Sequence, residues 1–289
     1  MLLKEAATEY MQEKRRTRRA NTIEGYESAL RCHVLPRWGE CEIEEITPED
    51  VQAWADGFEL PGAAKKAYKT LRQVLRWAIR RYRMRIWLAT EGVELPRMRA
   101  YRPKVLDGQG VARFLRGIWG APEEAVAICA VTLGLRRGEA CGLEWGDIDL
   151  RSGEVRVSRS RQCVGGKVVV MPTKTPKSER VLYLPRFALK RLRQIGKGAR
   201  GLLCAETPNG IARRLRARCR REELPFVSMT NLRHTWATLA IEAGVGIETV
   251  AMMLGHTEIG TAYEHYIVPR KSICRDAQAA VERLIYASA

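Results

Sequence analysis

Residues 63–85, AAKKAYKTLRQVLRWAIRRYRMR, place apolar side chains at Leu71, Val74, Leu75, Ala78, Ile79 and Tyr82. That three- and four-residue spacing predicts one long amphipathic helix. Thr47-Pro48-Glu49-Asp50 predicts the start of another, with a cap, a proline at the first helical position and an acid three residues after the cap. MLLKEAATEYMQEKRR reads as a further amphipathic, charged helix. From Pro96 through residues 99–105, RAYRPKV, the periodicity lapses, which predicts a linker between a helical domain at 1–98 and a second domain at 106–289. The second half opens with helices at about 107–117 and 121–133. VRVSRS (155–160), KVVVM (167–171) and RVLYL (180–184) then predict three short strands, joined by a glycine turn at 165–166 and by the turn KTPKS at 174–178. Helix returns after that, with six arginines between Arg213 and Arg221. The expected fold class is mainly α with a small antiparallel β-sheet (α+β).

The stretch SMTNLRHTWATLA, 228–240, repeats apolar residues at Leu232, Trp236, Leu239 and Ala240, one face of a helix. With Thr230 or Asn231 as its cap, Arg233 and His234 fall in the first turn, where the helix dipole is positive. A solvated arginine tolerates that position at a cost of a few tenths of a kcal/mol, about 0.3. The alternative is an anion held between the amides and the guanidinium. In TLGLRRGEACGLEWGDIDL, 132–150, Gly134 reads as a helix stop and a new helix starts near Arg137, so Arg136 also sits just before a helix start.

Composition sharpens the choice. The 289 residues carry 50 Lys and Arg against 33 Asp and Glu, a formal charge of +17. Such an excess points to nucleic acid, bound through phosphate neutralisation. The first hundred residues hold 19 basic against 15 acidic side chains, so most of the excess lies beyond them. Within that first part, Lys69, Arg72, Arg76, Arg80 and Arg83 follow one another at three- or four-residue steps, a face for DNA or simply for solvent. The run KRRTRR, 14–19, is similar. Eight scattered cysteines without a CxxC pair read as free thiols of a reducing compartment. No apolar run approaches a membrane span, so a cytoplasmic location is expected. Four histidines without metal-ligand spacing, and GGK at 165–167 without the rest of a phosphate loop, imply neither a metal nor a nucleotide cofactor.

Two arginines at helix starts would make a bidentate clamp for one phosphate. Lys174 at a hairpin tip, His256 in MLGHTEIG and the tyrosines at 263 and 266 would add donors and a nucleophile. The assembled set is a phosphoryl-transfer site without a metal, provided the pieces converge.

Four ordered motifs, GLRRGEACGLEWGDID, MPTKTPKSERVLYLP, LRHTWAT and LGHTEIGTAYEHY, resemble those of the tyrosine recombinases of the integrase family. The likeness covers nearly the whole chain. NTIEGYESALRCHVLPRWGE and the ITPEDV helix resemble the family's helical core-binding domain, and residues 106–289 resemble its catalytic domain. The resemblance implies that Arg136 and Arg233 grip the scissile phosphate, and that Lys174 protonates the departing 5′-oxygen with Lys177 as the fallback. It implies that His256 donates to the phosphate and that Tyr266 is the nucleophile forming a 3′-phosphotyrosyl link. Tyr263 aligns with a variable position, and Glu139 with an acid that supports the first arginine. Where the family usually has His-x-x-Arg, this chain has Thr230 three residues before Arg233. A threonine caps or donates one hydrogen bond but does not shuttle protons near neutral pH.

The resemblance further implies double-stranded DNA as substrate, no cofactor, and a homotetramer on synapsed sites, with accessory DNA-bending or directionality factors. RDAQAAVERLIYA, 275–287, is a segment to dock on a neighbour or on its own domain. With no separate arm-binding domain ahead of the core-binding one, the chain reads as a mobile-element integrase or a relative of the chromosome-dimer resolvases, and the Thr230 departure favours integration or excision of a mobile element. A catalytically silent DNA-binding protein of the same fold is the reading from another class.

Overall fold

The computed structural model describes residues 1–98, 103–173, 179–226 and 228–255. Lys174, Lys177, His256, Tyr263, Tyr266 and the segment 275–287 lie outside the described residues. The chain divides into two compact units, Met1–Arg102 and Pro103–Ala289.

The first unit is helical: α1 (Leu3–Thr17), α2 (Ala20–Ala29), α3 (Leu35–Trp38), α4 (Pro48–Asp56) and α5 (Pro61–Tyr82). The α4 start is as the sequence predicts, with the Thr47 side chain accepting from the Asp50 N–H. Leu71, Val74, Leu75 and Ala78 of α5 bury their stripe against Leu3, Tyr10, Val34, Trp38 and Val51. The expected helix over 63–85 ends earlier, because Arg83 turns left-handed (φ 54°) and its N–H closes onto the Ile79 carbonyl. Tyr82 also departs from the expected stripe: it is exposed, and its hydroxyl donates to Glu9 at 2.6 Å.

The second unit runs α6 (Gly108–Gly117), α7 (Glu124–Leu133), α8 (Arg137–Gly142), β1 (Glu154–Val157), β2 (Arg159–Val164), β3 (Lys167–Pro172), β4 (Arg180–Tyr183), α9 (Arg186–Ile195), α10 (Pro208–Arg221), α11 (Met229–Glu242) and α12 (Ile247–Leu254). The fold class is the expected one. The strands differ in number: the stretch 155–160 divides at Ser158, so β1 pairs with β4 and β2 with β3, both antiparallel. In the first pair Val155, Val157 and Leu182 face the core, while Val181 and Tyr183 face outward. In the second, Gly165 and Gly166 both have positive φ, as a two-residue hairpin turn requires.

The two glycines of α8 explain why this short helix lies on β2. A Cβ at Gly138 would fall 2.3 Å from Ser160 Oγ, and one at Gly142 would fall 3.1 Å from the Arg161 nitrogen. The main core joins Phe114, Ile118, Leu133, Leu135, Leu143, Val155, Leu192, Ile211 and Leu232. The described cysteines are free, and burial pushes the Cys129 thiol up to about 12.

Candidate active site

Arg136 and Arg233 are 97 positions apart in sequence, yet both touch one carbonyl oxygen. Arg136 stands between α7 and α8 in extended conformation, immediately before the first residue of α8. Its Nη1 donates to Leu254 O at 3.3 Å and its Nη2 to Gly255 O at 3.0 Å. From α11, the Arg233 Nη2 donates to Leu254 O at 2.9 Å and its Nη1 to Gly134 O at 3.0 Å.

The expectation for Arg233 needs correction. The helix begins at Met229, capped by Ser228, whose side chain accepts from the Asn231 N–H. Neither Thr230 nor Asn231 is the cap, and Arg233 is the fifth residue of the helix rather than part of its first turn. Its guanidinium reaches the carboxyl ends of two other helices, Gly134 after α7 and Leu254 closing α12. Helix C-termini carry partial negative charge, so a cation is well placed there. Both helices end on left-handed glycines, Gly134 (φ 62°) and Gly255 (φ 65°).

Glu139 completes the arrangement. Its Oε1 accepts from Arg136 Nη1 at 2.8 Å, and its Oε2 accepts from the Arg136 backbone N–H at 3.0 Å and from Arg180 Nη2 at 2.9 Å. Burial by itself would raise this carboxyl. The charge of Arg180, its hydrogen bond and the charge of Arg136 outweigh burial and hold Glu139 below the usual carboxylate range. Arg180 also donates from Nε to Met253 O at 2.7 Å. Three guanidinium groups and one carboxylate therefore meet among the described residues, with Arg136 half-exposed and Arg233 buried.

Arg180 is absent from the sequence-based set. A signal for it existed: it alternates with Leu182 on the inward face of β4, and a cation in an apolar register needs a partner. Thr230 is exposed on the second position of α11.

The basic row of the first unit is only partly a row. Lys69, Arg76 and Arg80 are exposed on α5, but Arg72 is half-buried and its Nη1 donates to the Tyr68 hydroxyl at 3.4 Å. Arg83 lies past the helix end, so helical spacing no longer places it. Arg76, Arg80 and Arg83 line a hollow of about 850 Å³ together with Lys14 and Arg18 of the 14–19 run. Two basic stretches distant in sequence thus face one space, while Lys69 and Arg72 stand apart from it.

This architecture is similar to that of the transposon Tn1549 integrase in complex with transposon right end DNA, with a TM-score of 0.79 at 18% identity over 99% of this chain and 100% of that one. It is also similar to the lambda integrase tetramer bound to a Holliday junction, with a TM-score of 0.67 at 18% identity over 91% of this chain and 77% of that one. The fold is thus that of the DNA integrases. Residues 119–272 match the phage integrase family, and residues 2–58 match the phage integrase N-terminal SAM-like domain. The integrase of Mycobacterium phage D29 is 28% identical over 278 residues, covering 88% of this chain and 71% of the relative. The chain belongs to the phage integrase family.

Proposed function

We propose that this chain, a site-specific tyrosine recombinase, cuts and rejoins DNA for the integration or excision of a mobile element, with Tyr266 as nucleophile. The observation that carries the site assignment is the meeting of Arg136 and Arg233 on the Leu254 carbonyl, one residue short of Gly255 and two short of His256. In the reaction, Tyr266 gives up its proton to water and attacks the scissile phosphorus, the 5′-oxygen leaves with a proton from Lys174, and the DNA 3′ end remains on the tyrosine. The two arginines offset charge on the non-bridging oxygens of the pentavalent transition state, and His256 adds a donor. Glu139 holds Arg136 in place. Attack by a DNA 5′-hydroxyl on the phosphotyrosine reverses the chemistry, so bond energy is kept and no nucleotide is spent.

Residues 1–98 serve as the core-binding domain and 106–289 as the catalytic domain, with 99–105 between them. The basic hollow at Arg76, Arg80 and Lys14 supports backbone contact by the first of these. Double-stranded DNA is the substrate. A homotetramer on two synapsed sites is the working form, a reading supported by the lambda integrase tetramer on its junction. Accessory DNA-bending or directionality factors act on that assembly, in the cytoplasm. No helix among the described residues is long and apolar enough to cross a membrane.

The test begins with sequencing DNA that co-purifies with the protein, which supplies the site for a nicked suicide duplex. Wild type and Tyr263→Phe should form a covalent protein–DNA adduct on that duplex. Tyr266→Phe should bind it and form none. An adduct that persists in Tyr266→Phe would remove the nucleophile assignment, and no adduct from wild type on its own bound site would favour a silent DNA-binding protein.

A further inference from the structure

Arg180 sits at the start of β4 with its side chain 8% exposed. It spends the two ends of its guanidinium on different elements: Nη2 on Glu139 of α8 and Nε on the Met253 carbonyl in the last turn of α12. We infer that Arg180 is a positioning residue of the recombination reaction, locking the Glu139–Arg136 pair to the carboxyl end of α12. This rests on the reading that Arg136 grips the scissile phosphate.

The geometry argues for more than charge balance. Glu139 already has a cationic partner in Arg136, and a second cation for balance alone would need only a single hydrogen bond. The rigid fork of a guanidinium instead fixes the spacing between a carboxylate oxygen and a main-chain oxygen. That spacing matters because both ends of it lead to Arg136. From one side Glu139 Oε1 holds Arg136 Nη1; from the other, the carbonyls of Leu254 and Gly255, directly after Met253, hold Nη1 and Nη2. Leu254 O also holds Arg233. Arg180 is therefore the strut between the two supports of the phosphate grip. Space around it is tight: a Cβ on Gly255 would come within 3.2 Å of Arg180 Nη1.

Without the strut, Glu139 and the end of α12 are free to shift relative to each other, and Arg136 follows one and loses the other. Misplacement by about 1 Å at such a group costs up to about 100-fold in rate. Arg180→Lys keeps the charge, but one ammonium cannot reproduce the two-armed span, and Arg180→Gln loses both charge and span.

The experiment is single-turnover cleavage of the suicide duplex at saturating enzyme, with the Kd for uncleavable duplex and a thermal melt measured in parallel. Expected are rate losses of about threefold or more for Arg180→Lys and about tenfold or more for Arg180→Gln, with Kd within about threefold of wild type. Combining Arg180→Gln with Glu139→Gln should cost less than the product of the two single losses, because both act through Arg136. Wild-type rate in folded Arg180→Lys would overturn the inference, as would multiplicative losses in the double variant or a change in Kd as large as the change in rate. Arg180→Lys decides the matter if Arg180→Gln does not fold. Arg136→Ala is the separating control: if it cleaves like wild type, the phosphate-grip reading fails; if it is inactive while the Arg180 variants are normal, only the role of Arg180 fails.

Discussion

Replacing Gly134 with alanine should damage the fold and the site together, and the structure gives the size of the first effect and the direction of the second. Gly134 has φ 62°, a conformation that costs a residue with a Cβ roughly 1–2 kcal/mol. The added Cβ would fall 2.7 Å from the Trp236 ring and 2.8 Å from a Leu254 methyl. Relief of such crowding in a packed region costs about 1–3 kcal/mol more. The total, about 2–5 kcal/mol, translates to a fall of about 5–15 °C in the melting of a unit this size. Gly244→Ala is the internal reference: it has φ 86° but nothing within 4 Å of the new Cβ, so it carries the backbone cost alone. The two clashes also push on the residues that present the Gly134 and Leu254 carbonyls to Arg233, so cleavage by Gly134→Ala should drop even well below its melting temperature, whereas Gly244→Ala should cleave normally. Calorimetry of both variants, and single-turnover cleavage of both at roughly 20 °C, measure the two effects. A Gly134→Ala melt within about 2 °C of wild type, or no worse than that of Gly244→Ala, would refute the argument.

Three further outcomes are expected. Ser228→Ala should cost about 1 kcal/mol through loss of the α11 cap, seen in denaturant melts, while Thr230→Ala should stay within about 0.5 kcal/mol of wild type and lose less than about tenfold in cleavage. Neutralising Arg76 and Arg80 together should lower the slope of log Kd against log salt by about 0.9 for each phosphate that then goes unneutralised, in titrations across ionic strength; an unchanged slope assigns that face to solvent. Cleavage in excess EDTA should proceed at the untreated rate, because arginine and lysine side chains supply the charge a metal would bring; restoration by magnesium of a lost cleavage step would count against that mechanism.

Much of the architecture is legible because its signals are local. The α5 stripe from Leu71 to Ala78, the Thr47 cap and the glycine pair at 165–166 each act through neighbours within a turn or so, and each lies where the spacing placed it. Boundaries are less legible. The α5 helix stops at Tyr82 because Arg83 turns left-handed, which arginine does not advertise, and a split at Ser158 turns one apparent strand into members of two different pairs. In the site, Arg136, Glu139 and Arg233 could be named from their motifs, but the reason for the position of Arg233 could not. The question the sequence raised was a cation at a positive helix end; its side chain instead runs to the negative ends of two other helices. Arg180 escaped because Glu139 and the Met253 main-chain oxygen, which it holds, are 41 and 73 positions away.

The oxygens that orient Arg136, Arg180 and Arg233 at Gly134, Met253, Leu254 and Gly255 all belong to the main chain. Every residue type carries such an oxygen, so the identity of the side chains at 253 and 254 governs packing but not the supply of acceptors. What must be kept is the punctuation: two helices that stop at these points, each on a residue free to turn left-handed. Grafting this clamp onto another scaffold would therefore call for two correctly terminated helix ends first, and for the three arginines only afterwards.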